Sequence, residues 1–228
     1  MNGSSITVKA ALGAAFFVAL ACVPVPARAD AAQDKALISA AERGDENAVR
    51  TLLQKGASVN ARDAHHRTAL LAATHANRVA VARVLIAAGA DVNAKDDIGD
   101  SPYLYAGAEG RNEILTMTLA AGADLKSLNR YGGTALIPAA HHGHPETVRI
   151  LLATSIDKDH VNNLGWTALL EAVILGDGGA VHTDIVWKLV AAGANVNIAD
   201  REGVTPLGHA RQRGFHAIAR TLEAAGAH

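Results

Sequence analysis

Apolar residues in this chain fall into short blocks that end on glycine and are parted by polar turns. One such block is Val79-Ala80-Val81-Ala82-Arg83-Val84-Leu85-Ile86-Ala87-Ala88-Gly89. The blocks suit short helices, because alanine and leucine favour helix whereas β-branched and aromatic residues favour strands. Glycine closes them where the chain turns left-handed. Small pairs such as Ala72-Ala73 and Ala139-Ala140 let paired helices come close. A hydroxyl residue opens many blocks, suited to capping the free amides of a first turn. Pro102 and Pro206 directly follow such residues, at a first helical position where a missing N–H costs nothing.

The pattern repeats. Gly56, Gly89 and Gly122 are 33 residues apart, and so are Thr68, Ser101, Thr134 and Thr167; Thr205 follows after 38. Ala88-Gly89-Ala90-Asp91-Val92-Asn93-Ala94 returns as Ala192-Gly193-Ala194-Asn195-Val196-Asn197-Ile198. The turns carry Asp or Asn that can bond its own backbone. A fixed period of this length marks stacked units that share one continuous core.

The phrase Asp200-Arg201-Glu202-Gly203-Val204-Thr205-Pro206-Leu207-Gly208-His209-Ala210 resembles the turn-and-helix motif of the ankyrin repeat family, with Gly208 where the family has histidine. Looser copies start at Asp96 and Asn162, and the resemblance covers residues 32–227. It implies an all-α ankyrin repeat solenoid of about six units, each a β-turn and two antiparallel helices. The units are 32–62, 63–95, 96–128, 129–161, 162–199 and 200–228. The first lacks the turn phrase and the last is coated with Arg211, Gln212, Arg213, His216 and Arg220, as expected of capping units.

Residues 1–29 read differently. Lys9 precedes an apolar run, Ala10–Val23, of 14 residues including Gly13; Pro24 and Pro26 break it, and Ala27-Arg28-Ala29 offers a cleavage site. This is the layout of a secretory signal, too short for a comfortable membrane span. Cleavage after Ala29 would leave Asp30–His228, 199 residues in a periplasmic or secreted setting. Acylation at Cys22, the single cysteine, is the alternative processing route. A mature chain without cysteine suits an oxidising compartment.

Charge narrows the partners. Removing Lys9 and Arg28 from 21 basic residues leaves 19 against 22 acidic, a formal charge of −3. That balance gives no basic field for nucleic acid. No later apolar run reaches 18 residues, so the mature chain is expected to be soluble, without stable membrane insertion and monomeric on its own.

Repeat stacks bind through turn tips and inner helices, and units four and five depart from the pattern there. Arg130, Tyr131, Leu164, Trp166 and Arg201 are assigned to turns; His141, His142, Glu171 and Ile174 to inner helices. Tyrosine, tryptophan and arginine are favoured interface anchors. These nine residues form the expected site for a protein partner, with no catalytic residue, metal or cofactor. The resemblance implies a non-enzymatic binding scaffold, with envelope stress protection and immunity to a secreted effector as roles known for related bacterial proteins. The alternative is a metal-binding or hydrolytic site built on His141, His142 and Glu171. No Gly-x-Ser-x-Gly elbow, phosphate loop or dinucleotide fingerprint occurs. Unit five also holds five extra residues, placed within the connection 175–184, either as a binding loop or as a tolerated expansion.

Overall fold

The computed structural model describes Met1 and residues 31–228. Apart from Met1, the expected signal segment, Cys22 included, lies outside the described residues. Twelve helices are present among those described: α1 Ala31–Arg43, α2 Glu46–Gln54, α3 Ala69–His75, α4 Val79–Ala87, α5 Pro102–Ala108, α6 Asn112–Ala120, α7 Leu136–His141, α8 Pro145–Leu152, α9 Ala168–Ile174, α10 Ala180–Ala191, α11 Pro206–Gln212 and α12 His216–Ala224.

The helices pair in chain order, one pair per unit. Odd-numbered helices stack on one another as an inner row, and even-numbered ones as an outer row. No helix among the described residues is long and apolar enough to cross a membrane. Among the described residues, the one bridge resembling a strand pairing joins Arg62 to Thr68, across a turn.

The period seen in the sequence is a period of the core. Leu37, Leu70, Tyr103, Leu136, Leu169 and Leu207 hold the same place in six inner helices, each fully or almost fully buried. Burying a side chain of this size contributes about 1.5–3 kcal/mol. Val49, Ala82, Leu115, Val148 and Val186 do the same in the outer row.

Each turn is organised by its Asp or Asn. Asp96 Oδ1 accepts from the amides of Ile98 and Asp100, at 3.1 and 2.9 Å. Asn129, Asn162 and Asp200 each bind the amides two and four residues on in the same way. Neighbouring units are then tied: Asn60 and Asn93 each accept from the amide of a residue 31 positions later and donate to a glycine carbonyl 29 later.

Hydroxyl caps form at Thr68, Ser101, Thr167 and Thr205. Unit four departs from the expected cap. Pro138 lies four residues after Thr134, where it has no N–H to donate. The Thr134 carbonyl instead accepts from Ile137, the helix starts at Leu136, and the Thr134 hydroxyl is buried without a partner.

Unit five also corrects the sequence reading. The connection between its helices spans only residues 175–179, and residues 180–184 are already helical. The five extra residues therefore divide: two lengthen the connection from three to five, and three extend the outer helix from nine to 12.

Candidate functional site

Inner helices α5, α7 and α9 and the turns before them enclose a cavity of about 350 Å³ on the concave face. Six of the nine residues expected at the site line it: Arg130, Tyr131, His141, His142, Leu164 and Glu171. Of its lining residues Tyr131 and Leu164 are exposed, at 54% and 46%.

The other three lie outside it. Trp166 is half-buried in its turn, and its backbone closes that turn on Asn162. The Ile174 carbonyl accepts from Arg213 Nη1 at 2.6 Å. Arg201 donates through Nη2 to the Asn163 carbonyl, which joins unit six to unit five. Sequence register placed these residues on the right units, but register does not say which way a side chain turns.

The cavity also has members the pattern did not single out, among them Asp100, Tyr105, Glu109 and Asn162. Asn162 was legible in principle. Its Oδ1 is used by two turn amides, so its amide group must donate elsewhere, and residue 171 is the carboxylate nine positions on. A further residue missed is Trp187 on α10, 58% exposed on the outer helical row, with the Lys188 ammonium 5.8 Å from its ring centroid.

Glu171 is the centre of the arrangement. It is 6% exposed, and Asn162 Nδ2 donates to its Oε1 at 2.8 Å. Burial raises its carboxyl above the ordinary range, opposed by the Asn162 hydrogen bond and by His142. His141 Nδ1 is 3.7 Å from Glu171 Oε2, too far for a hydrogen bond. Burial, with His142 and His182 nearby, holds His141 below its ordinary range. His142 turns away, its Nδ1 lying 2.8 Å from the Ala108 carbonyl. The three residues therefore do not converge on a point. Among the described residues no group of three or more His, Cys, Asp or Glu side chains is placed to hold a metal ion.

Arg130 spans the other wall. Its guanidinium is 5.3 Å from the Tyr131 ring centroid and 3.7 Å from Asp100 Oδ2. Burial raises the Asp100 carboxyl, and Arg130 partly offsets this.

The five-residue connection in unit five is held from both sides. Arg213 donates to the carbonyls of Ile174 and Gly176, at 2.6 and 3.0 Å. His182 sits between Asp177 Oδ1 and the His141 carbonyl, 3.0 and 3.1 Å away. Through His182 the connection is tied to His141, which lines the cavity.

The chain matches the family profile described as ankyrin repeats, three copies, over residues 6–96 and 104–200. It belongs to the ankyrin repeat family. Ankyrin repeats serve in general as protein-interaction scaffolds, and the fold is a non-enzymatic binding framework. A 57-residue stretch is 49% identical to the ankyrin repeat protein YahD of Escherichia coli (strain K12), covering 25% of this chain and 28% of that protein. An ankyrin repeat domain from Acinetobacter baumannii AYE is 57% identical with a TM-score of 0.82, covering 84% of this chain and 98% of that one. The ankyrin repeat protein EF0377 is 43% identical with a TM-score of 0.81, over 83% and 97% of the two chains. The ankyrin repeat domain of Bcl-3, a member of the IkappaB protein family, is 30% identical with a TM-score of 0.75, over 85% and 86%.

Proposed function

We propose that this ankyrin repeat chain is a non-enzymatic scaffold that binds a protein partner on the concave face of units three to five. One observation carries the reading: a single cavity is lined by a buried carboxylate, Glu171, and by two exposed apolar side chains, Tyr131 and Leu164. Anchor side chains at the rim of a concave site are what partner recognition needs.

The setting proposed is the bacterial periplasm or the exterior, reached by cleavage after Ala29, and the role is that of an envelope stress or immunity partner. The charged, apolar and small-residue zones of residues 1–29 support the address. Mass spectrometry of the chain expressed at full length tests it: a mature start at Asp30 is expected, and an intact or lipidated start would refute it.

Site-specific photo-crosslinking tests the surface. A crosslinker at Tyr131 or Leu164 is expected to trap one partner stoichiometrically, whereas one at Arg83 or Arg149, on the outer row, is not. Equal trapping from both rows would refute the concave assignment.

A further inference from the structure

Glu171 costs more to keep than its surroundings return. A carboxylate this buried normally has several donors or an opposite charge. Here Oε1 accepts from Asn162 alone, and no donor among the described residues reaches Oε2 within hydrogen-bond distance. Glu171 lines the cavity. Glu109, which also lines the cavity, is more open to water, its side chain 38% exposed.

The lining is unbalanced in charge. Asp100, Glu109 and Glu171 contribute three carboxylates and Arg130 one cation. Arg130 is engaged with Asp100 and the Tyr131 ring, so the other two carboxylates have only imidazoles near them, His141 3.7 Å from Glu171 and His142 3.6 Å from Glu109. The lining also holds the apolar side chains of Leu164, Ile137 and Pro138. The cavity thus combines apolar wall residues with a buried carboxylate, Glu171. A flexible alkyl stem ending in a cation complements both.

We propose that this cavity receives the side chain of a lysine or arginine presented by the protein partner, with its cation on Glu171 Oε2 and its stem against Leu164 and Pro138. This rests on the concave-face reading above and names the chemistry that the face selects. The cation supplies the missing donor and the opposite charge together, which makes a partner lacking a basic residue at that point a poor fit.

The test is a titration of the full-length chain, labelled with nitrogen-15, with Nα-acetyl-lysine methylamide and Nα-acetyl-arginine methylamide. Their neutral counterparts, built on norleucine and citrulline, are the controls. Saturable shifts are expected at the Asn162 side-chain amide and at the Glu171 and His142 backbone amides for at least one cationic probe. Binding should be roughly tenfold weaker or worse for the neutral counterpart. Glu171→Gln keeps an acceptor for Asn162 and removes the charge, and should lower the cationic affinity by a similar factor. Comparing the two cationic probes tells lysine from arginine. Equal shifts from neutral and cationic probes, unchanged affinity in Glu171→Gln, or no shift in the wild type would overturn the proposal. The wild-type comparison holds even if the variant fails to fold. If position 131 still crosslinks a partner while the cationic probes do nothing, the basic side chain is refuted and the concave-face reading stands. Loss of both refutes both.

Discussion

Asn162 donates to Glu171 across nine residues of chain, and in the next unit Asp200 and His209 make the same link with donor and acceptor exchanged. Each pair joins a turn to its inner helix at the same two positions. In both, one oxygen of the turn residue is occupied by two backbone amides, so only its second polar atom can reach the helix. Where that atom is an amide nitrogen, the helix offers a carboxylate; where it is a carboxylate oxygen, the helix offers an imidazole. Asn162→Asp should therefore set two carboxylates against each other and cost about 2 kcal/mol in urea unfolding at neutral pH. Adding Glu171→His, which reproduces the unit-six pair, should restore at least half of that loss.

Two threonines at equivalent positions should respond differently to removal of a hydroxyl. Thr167 caps α9 through the Leu170 amide at 3.2 Å, and Thr167→Val should cost about 1 kcal/mol. The Thr134 hydroxyl is buried without a partner, because Pro138 has displaced the cap. Thr134→Val removes an unsatisfied group and should leave thermal stability unchanged or raise it by up to about 1 kcal/mol.

The connection in unit five should depend on contacts from unit six. Gly178 has φ +72°, and a Cβ there would lie 2.3 Å from a Phe215 ring carbon, so Gly178→Ala should cost about 2 kcal/mol. Arg213→Ala should leave the global melt nearly intact and increase hydrogen exchange at residues 176–179 selectively. Unchanged exchange there would show that the Arg213 hydrogen bonds do not hold the segment.

His75 predicts an acid dependence. Burial holds it below its ordinary value of 6.5, Asp100, Asp96 and Glu42 opposing; its Nε2 is buried without a partner, and its ring lies 4.1 Å from that of Tyr105. The unfolded chain therefore binds the proton first, and stability falls as the pH drops through the ordinary value toward the lower folded one. Above that range the effect vanishes. His75→Leu should flatten this part of the melting profile between about pH 7.5 and 5.5 relative to wild type. His141, shifted in the same sense, is left in place in both proteins.

The sequence by itself determined the architecture. Hydroxyl, glycine and asparagine recur at a fixed period, and each specifies its local backbone through short-range bonds, so turns, helix starts and helix ends could be read one unit at a time. It also identified the units that differ, four and five, from Arg130, Tyr131, Leu164 and Glu171. What the tertiary structure decided is which of the unusual side chains meet. Glu171 is buried in the lining of the cavity, while Trp166, Ile174 and Arg201, close to it in the repeat pattern, do not line it. Asp100, Tyr105 and Glu109 enter from a unit that looked ordinary. The backbone period comes from bonds within a few residues, but the site is made by side-chain directions across three units, and those directions are settled only when the units pack.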